Sequence, residues 1–261
     1  MKKMQLLSTE YLPFYQKKQK FTLRKHLNTI DKKKYNPENF ELFSGESSVF
    51  SSQIEGSTVT ESDWLNYKMS GIGKGTERIK EVQDLQNAYT FCRANKISKK
   101  NILEVHKISS NTILKDKAYK GKIRKVQVYV GNSFKIIYTC ASPDIVEQEF
   151  NKLVADIEYL NTQNLTVNEV FYFASLIHLM YVKIHPFADG NGRTARLLEK
   201  WFLAQHLGAV AWYIRSEKHY RTKKENYYKY LNDCGDNYNK LVLGNCLPFL
   251  MMLPFALRNS H

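Results

Sequence analysis

The chain has 261 residues, a formal net charge of +14, and 43% hydrophobic and 13% aromatic residues. This length can bury the core of one large domain, or of one domain with a helical extension. The positive charge indicates an acidic partner, a nucleotide or a nucleic acid. Because the lysines are scattered in short clusters, we interpret them as solvated surface in preference to a nucleic-acid interface.

Secretion, membrane insertion and structural metal binding are not indicated. The four cysteines lack C-x-x-C spacing, which favours reduced thiols in a cytoplasmic protein. The N-terminus carries lysines but no sustained apolar core, as a signal peptide would require. The apolar segment 241–257 is short for a membrane span and contains Pro248 and Pro254, so we predict a buried helical segment there.

The N-terminal part of the chain divides near residue 40. Residues 1–40 are polar, basic and weakly periodic, which predicts an irregular basic arm with one short helix. Beyond it, the apolar pattern that ends at Ile54 predicts a helix that stops at Gly56, a usual C-terminal breaker. Glu55 then lies in the last turn, where the helix end already carries partial negative charge. An external cation is therefore expected to compensate Glu55.

A glycine-rich segment follows at residues 71–76, GIGKGT. Its spacing differs from the phosphate-binding loop G-x-x-x-x-G-K-[ST], and no apolar strand precedes it, so we predict a flexible connector. Helices are predicted at 77–94 and 99–114, with His106 as a packing residue.

The strongest β signal lies in residues 125–143. Valines at 126, 128 and 130 alternate with polar or aromatic residues, and the sequence GNS at 131–133 then turns the chain. We predict a hairpin at about 126–139. Because an isolated hairpin is marginal in water, it should lean on the helical core or be completed by a bound strand. Helices are predicted next at 144–161 and 168–184.

The stretch HPFADGNGRTAR runs from His185 to Arg196. The apolar helical pattern before it ends at His185, and a second amphipathic pattern starts after Asn191. The loop between them therefore feeds a helix N-terminus, which has unpaired backbone N–H groups and partial positive charge. Gly190 and Gly192 allow close approach of a ligand, so an anion fits there.

The side chains of this stretch fit phosphate chemistry. Arg193 and Arg196, three residues apart on a helix, can hold different phosphates as bidentate donors. Asp189 would hold Mg²⁺ together with phosphate oxygens. His185, with an ordinary pKa of about 6.5, can take a proton from an incoming hydroxyl. These residues predict nucleotide phosphate transfer with His185 as the base.

The stretch resembles the Fic family signature H-x-F-x-[DE]-G-N-G-R-x-x-R at every fixed position. The resemblance implies a mostly helical, all-α Fic fold with one β-hairpin flap. It also implies that His185 deprotonates a Ser, Thr or Tyr hydroxyl of a target protein, which attacks the α-phosphate of ATP and accepts AMP. In that role Asp189 holds Mg²⁺, the anion hole is formed by Gly190, Asn191 and Gly192, and the β and γ phosphates are bound by Arg193 and Arg196.

A second segment, SSQIEG at residues 51–56, resembles the inhibitory motif [ST]-x-x-x-E-[GN] of self-restrained Fic proteins. The resemblance covers Ser51, Glu55 and Gly56. It implies that Glu55 pairs with Arg196 and blocks the γ-phosphate site. Because this motif precedes the signature, the chain is identified as a member of the class II arrangement.

The same resemblance assigns roles to the hairpin and to a downstream tyrosine. The flap would dock a segment of the target protein by strand addition, and Tyr227 would stack on adenine. Gly121, Ile123 and Arg124 fit the turn that leads into the flap. The nucleotide contacts that the resemblance assigns to the flap are Val128, Tyr129, Val130 and Gly131.

We therefore predict a basic arm at 1–40, an inhibitory helix and connector at 41–80, and a Fic core at 81–257. The predicted activity is that of a cytoplasmic, Mg²⁺- and ATP-dependent protein adenylyltransferase held in check by Glu55. Removal of AMP and transfer of other phosphate groups stay open as alternatives, as does a basic nucleic-acid-binding regulator with a nucleotide-sensing pocket. Self-modification, self-association and the target protein are undetermined.

Overall fold

The computed structural model of the chain describes residues 4–34, 39–70, 76–131 and 134–258. Helices dominate it, and two short strands form one antiparallel hairpin, so the predicted fold class is confirmed. The helices are α1 Leu12–Lys18, α2 Leu23–Lys34, α3 Asn39–Ile54, α4 Glu61–Ser70, α5 Glu77–Ala94, α6 Lys99–Ser109, α7 Val146–Leu160, α8 Val167–Ile184, α9 Asn191–Leu207, α10 Ser216–Thr222, α11 Lys224–Asp233, α12 Leu247–Leu250 and α13 Met252–Arg258. The strands are β1 Tyr129–Gly131 and β2 Ile136–Thr139.

Helix α8 forms the centre of the domain and packs against α9, α7, α1 and α12. Side chains on every face of it are buried, among them Phe171, Ile177 and Tyr181, as expected for a helix enclosed by others. Its first turn is fixed by a capping box, in which Thr166 and Glu169 each accept the other's backbone N–H, at 3.3 and 2.8 Å. The signature that follows α8 is thus attached to the most enclosed helix.

The N-terminal residues are more ordered than the sequence predicts. The sequence predicts an irregular arm with one short helix, whereas the structure has two helices here, α1 and α2. Both helices place side chains in the core. The Asp156 carboxylate of α7 also accepts the N–H groups of Gln5, Leu6 and Leu7, at 2.7 to 2.8 Å. The prediction is wrong because the few apolar residues of this segment are buried by contact with α7 and α8, which no local pattern reveals.

Several predicted boundaries agree with the structure and others shift. The helix predicted at 77–94 is α5, whereas the helix predicted at 99–114 ends at Ser109. In the predicted connector 71–76, residues 71–75 lie outside the described residues, as do residues 132–133 of the hairpin turn. The hairpin is shorter than predicted, because its first strand begins at Tyr129.

The hairpin leans on the helical core, as its small size requires. Tyr129 pairs with Thr139 and Val130 with Tyr138 across the two strands. The Tyr138 hydroxyl donates to the carbonyl of Lys183 at 2.9 Å, which ties β2 to the end of α8. The position of the hairpin is therefore coupled to the residues next to the signature.

The C-terminal segment is buried against α8 and α10 in short helices, with Leu253 and Leu257 fully enclosed. Among the helices of the described residues, none combines the length and hydropathy needed to cross a bilayer.

The structure pairs Cys234 with Cys246, whose Cα atoms are 5.3 Å apart. The fold brings the end of α11 beside the turn before α12 and so places these two sulfurs next to each other, and the reduced state of the cysteines stays a prediction. Cys92 and Cys140 are free and buried.

Candidate active site

His185 lies directly after α8, where it closes the helix in a left-handed conformation with φ 55° and ψ 61°. A non-glycine residue in this conformation stores strain that the surrounding contacts must hold. Here the Arg124 guanidinium supplies such a contact, because its Nε donates to the His185 carbonyl at 2.8 Å. The backbone of the histidine is thereby fixed independently of its ring.

The imidazole of His185 is oriented for proton acceptance. Its Nδ1 lies 3.1 Å from the carbonyl oxygen of Val182, which can only accept, so Nδ1 carries the proton. The lone pair is then on Nε2. Burial lowers the pKa of His185 to about 4, opposed by the Val182 carbonyl and assisted by Arg124. The ring is therefore neutral and basic at Nε2 at pH 7.

Helix α9 presents its N-terminus beside His185. Gly190 precedes it with φ 78°, a conformation that favours glycine. The Thr194 N–H donates to the Gly190 carbonyl at 3.1 Å and starts the helical hydrogen bonds. The N–H groups of Asn191, Gly192 and Arg193 come before that bond, so they point out of the helix end, where an anion is stabilised.

The Asn191 side chain shapes the loop and is buried inside it. Its Oδ1 accepts the Phe187 N–H at 2.9 Å, and its Nδ2 donates to the Phe187 carbonyl at 2.8 Å. These two bonds close the loop between residues 187 and 191 into a compact ring. The side chain of Asn191 is thus occupied, and its backbone N–H is the group available to an anion.

His106 supports the same loop from α6. Its Nε2 contacts the Asp189 carbonyl at 2.8 Å, and its Nδ1 accepts the Gly121 N–H at 3.0 Å. Its ring stacks on Phe187 at 3.6 Å between centroids. His106 is fully buried, as the packing role predicted from the sequence requires, and it links the loop to the turn before the flap. The Asp189 carboxylate stays exposed on the other side.

Arg193 is nearly buried and only partly satisfied. Its Nη1 lies 3.3 Å from Oε2 of Glu81, a residue of α5. Within the described residues its Nε has no hydrogen-bond partner. A buried guanidinium N–H without an acceptor is costly, so this side of Arg193 is suited to an anionic ligand.

Arg196 is held by the C-terminal part of α3 and by Glu55, the residue that follows it. Its Nη2 lies 2.7 Å from Glu55 Oε1, and Ser51 accepts from the guanidinium through both its hydroxyl, at 2.8 Å, and its carbonyl, at 2.9 Å. A Cβ at Gly192 would collide with the Glu55 carboxylate, which therefore lies directly against the N-terminus of α9. Burial raises the pKa of Glu55, but attraction to Arg196 and Arg193 outweighs it and leaves the pKa below its usual value.

The end of α3 fixes where Glu55 lies. The Gly56 N–H donates to the Gln53 carbonyl at 3.1 Å and the Ser57 N–H to the Ser52 carbonyl at 3.0 Å, which together form a Schellman motif. Gly56 has φ 96°, as this motif requires. The predicted stop at Gly56 is confirmed, and Arg196 is the cation that compensates Glu55.

Tyr227 occupies a different place from the one predicted. Its ring is 1% exposed and packs against His178, Tyr220 and Phe249, which leaves no face for adenine. Its hydroxyl instead contacts Arg196 Nη1 at 3.2 Å. The predicted adenine contact is therefore wrong. The sequence showed an aromatic side chain on a helix but not which face of that helix is buried.

The flap residues lie at the edge of the site and are more open. Tyr129 is 53% exposed, Gly131 is exposed, and Val128 and Val130 are half-buried. Arg124 connects them to the signature, because the same guanidinium that contacts His185 also donates to the carbonyls of Val126 and Ala141. The nucleotide contacts of these residues stay a prediction.

Sequence reasoning missed three polar residues, one in contact with the signature and two behind it. Glu81 pairs with Arg193, while His178 and Glu199 lie behind Tyr227. Each is polar on an amphipathic or apolar helix. A buried polar residue needs a partner, so a histidine within the apolar pattern of α8 was the one available signal.

Comparison with known proteins finds a family match for the central part of the chain. Residues 96–203 match the sequence model of the Fic/DOC family, so this segment is similar to a Fic domain. Among solved structures, a Fic family protein from Desulfovibrio desulfuricans G20 covers 97% of this chain and 74% of its own, with a TM-score of 0.74 and 19% identity. Fic-1 of Caenorhabditis elegans, residues 134–508, covers 91% of this chain and 69% of its own, with a TM-score of 0.61 and 24% identity. Both likenesses concern the fold.

Curated relatives share sequence over part of their length. The Protein adenylyltransferase fic-1 of Caenorhabditis briggsae is 33% identical over 157 residues, which are 56% of this chain and 29% of the relative. The Protein adenylyltransferase Fic of Nematostella vectensis is 31% identical over 194 residues, 71% of this chain and 42% of the relative. The chain thus spans less than half the length of these relatives.

Proposed function

We propose that the chain is a protein adenylyltransferase that transfers AMP from ATP to a Ser, Thr or Tyr hydroxyl of a target protein and is restrained by Glu55. One observation carries the proposal. The Glu55 carboxylate lies against Gly192 at the N-terminus of α9 and on the guanidinium of Arg196, where a phosphate of ATP would be stabilised. An internal anion therefore occupies a built anion site. The names of the curated relatives support the same reaction.

In this reaction His185 acts as the general base. Its Nε2 takes the proton of the target hydroxyl while the hydroxyl oxygen forms a bond to the α-phosphorus of ATP. The bond between that phosphorus and the bridging oxygen of pyrophosphate breaks, and pyrophosphate leaves with the electron pair. Because the ring is neutral at pH 7 and its Nδ1 proton is held by Val182, the lone pair is available without prior deprotonation.

Phosphate binding is assigned to the start of α9. Gly190, Asn191 and Gly192 supply backbone groups, and Arg193 and Arg196 supply guanidinium donors to the β and γ phosphates. The unpartnered Nε of Arg193 supports this assignment. Glu55 must leave Arg196 before the γ-phosphate can bind, because both anions need the same donor.

The residues also fit a Mg²⁺ ion held jointly with ATP. Asp189 supplies one exposed carboxylate, and the described part of the chain contains no cluster of three acidic, cysteine or histidine side chains that could hold a metal alone. Mg²⁺ is commonly bound by one carboxylate together with substrate phosphates. When bound, the ion would neutralise charge on the phosphates, and Asp189 would orient it.

The flap is assigned to the target and the nucleotide. Val128, Tyr129, Val130 and Gly131 lie on or beside β1, whose pairing with β2 leaves the hairpin with open backbone groups. A segment of the target protein can add to such a strand through main-chain hydrogen bonds. This would bring its hydroxyl towards His185, because Arg124 ties the hairpin to that residue.

Intact-mass analysis after incubation with ATP and Mg²⁺ tests the proposal. We expect Glu55→Gly to gain the mass of AMP by self-modification, or to transfer AMP to proteins of an added extract, while wild type does so at least 10-fold more slowly. The Glu55→Gly/His185→Ala variant is the matched control and is expected to transfer none. Absence of AMP transfer by folded Glu55→Gly would contradict the proposed activity, and equal transfer by wild type would contradict the restraint.

A further inference from the structure

A chain of buried hydrogen bonds leads away from Arg196 on the side opposite Glu55. Arg196 Nη1 lies 3.2 Å from the Tyr227 hydroxyl, which lies 2.9 Å from His178 Nε2. His178 Nδ1 in turn lies 2.8 Å from Glu199 Oε2. None of these four residues is more than 1% exposed. The chain crosses three helices, from α9 to α11, to α8, and back to α9.

The donors and acceptors of this chain can be ordered in one direction. A guanidinium only donates, so the Tyr227 oxygen accepts from Arg196 and its own O–H is directed to His178 Nε2. In this order the His178 proton lies on Nδ1 and donates to the Glu199 carboxylate. Burial raises the pKa of Tyr227 to about 12, although Arg196 opposes it, so the hydroxyl keeps its proton.

The far end of the chain is closed by Tyr220. Its hydroxyl lies 2.9 and 3.0 Å from the two carboxylate oxygens of Glu199. With Tyr220 and His178 both donating, the buried carboxylate is stabilised by two hydrogen bonds without a salt bridge to Lys or Arg. A satisfied buried network of this kind is rigid, because each member has one acceptable orientation.

We propose that Glu199, His178 and Tyr227 are positioning residues that hold the Arg196 guanidinium in the plane needed for a phosphate of ATP. Ser51 fixes the Nε and Nη2 side of Arg196, and Tyr227 fixes Nη1. When ATP displaces Glu55, these are the contacts that remain. The inference rests on the proposed function in one respect, that Arg196 binds the nucleotide.

The proposal predicts a specific kinetic signature in the Glu55→Gly background. Tyr227→Phe removes the acceptor from Arg196 Nη1, and His178→Gln removes the ring that orients Tyr227. Both changes should raise KM for ATP about 3- to 10-fold, the effect of losing one hydrogen bond to a charged group, with kcat within about twofold. Tyr172→Phe is the matched control, since it removes a hydroxyl that donates to the Ser8 carbonyl, at 2.7 Å, and is not part of the network around Arg196.

Calorimetric ATP binding by the same variants separates this proposal from the proposed activity. If Glu55→Gly transfers no AMP but binds ATP, and Tyr227→Phe weakens that binding, the positioning role stands and the activity fails. If Kd and KM for ATP stay within twofold in folded Tyr227→Phe and His178→Gln, the positioning role is overturned.

Nitrogen-15 NMR of histidine-labelled wild type tests the network without any substitution in it. We expect the His178 proton on Nδ1 and none on Nε2. A proton on Nε2 would contradict the donor order and overturn the proposal even if the variants failed to fold.

Discussion

Glu55 is placed by backbone geometry at the end of α3. The Schellman motif around Gly56 ends α3 at Ile54, one residue before Glu55, and directs the Glu55 carboxylate towards Arg196. About one third of the Glu55 side chain stays accessible, at 32%, while Arg196 is buried. The Glu55 carboxylate is therefore reachable from solvent, so the proposed displacement of Glu55 by ATP would not require opening of the core.

Substitution of Gly56 should affect both stability and restraint. Gly56→Ala puts a Cβ on a backbone with φ 96°, which costs about 1 kcal/mol of unfolding free energy, and it shifts Glu55 away from Arg196. We expect a lower urea midpoint and faster basal AMP transfer than in wild type. Gly208→Ala is the control for backbone strain away from Glu55: its surroundings are equally open, and its φ of 78° with ψ of −168° is tolerated by glycine almost alone, so it should cost at least as much stability. Equal transfer rates in the two variants would show that the motif does not position Glu55.

At this scale the sequence identified the residues whose chemistry is local. His185, Arg193 and Arg196 were selected as candidates because their spacing and charge alone predict a phosphate site, and their roles stay a prediction. Tyr227 was misassigned because its role depends on contacts with α8 and α9. Such contacts join residues tens of positions apart, and one sequence carries no record of them.

Helix α3 is an integral part of the core and not a detachable arm. The buried Lys200 ammonium donates to Ser47 of this helix at 2.9 Å and pairs with the buried Glu217 of α10. Arg215 and Lys218 also pair with Glu46 on its other side. Relief of the proposed restraint is therefore expected from rotation of the Glu55 side chain, because withdrawal of α3 would expose these charges and the apolar core beneath them.

Breaking the Lys200 pair should unfold the protein more readily. Glu217→Ala leaves a buried ammonium without its counter-charge, which costs about 3 to 5 kcal/mol of unfolding free energy. Urea denaturation followed by far-UV circular dichroism measures the loss. Lys200→Met/Glu217→Leu should recover most of it, since no buried charge remains. Glu104→Ala, which breaks a surface pair with Lys107, is the control, and a comparable loss there would contradict this account.

Elements with a strong local pattern were predicted well. The bounds predicted for α5 agree with the structure, and α8 differs by one residue at its start, because helical periodicity and capping residues are local signals. Helices α1 and α2 were missed as a pair. Helix α2 is amphipathic, with Leu23, Leu27 and Ile30 buried, but its apolar residues are few among polar and basic ones, and both helices are stabilised by docking on the rest of the chain.

The whole molecule contains several histidines that burial keeps neutral. Burial lowers the pKa values of His106, His185 and His219 to about 4 each. Between pH 6.5 and 4 the unfolded chain therefore binds more protons than the folded chain. By linkage, stability then falls as the pH falls through this window. The lowered pKa of Glu55 acts in the same direction at the acid end.

Thermal unfolding at several pH values tests this expectation. We expect Tm to fall by several degrees between pH 7.5 and pH 5.5, with a free-energy loss on the order of 1 kcal/mol for each buried histidine. His219→Gln lies outside the candidate site and should flatten the dependence while keeping most of the stability at pH 7.5. A Tm that stays constant or rises towards pH 5.5 would contradict it.

The sequence by itself determined the helical class, the hairpin and the helix N-terminus that follows the signature loop, and it proposed His185 as the base, because each depends on residues within a few positions of one another. Only the tertiary structure decided which acid faces Arg193, how Tyr227 is used and where the N-terminal helices lie. These features depend on burial and on pairing between distant segments. The free energy of burying a polar group is set by its neighbours in space, and the fold alone selects those neighbours.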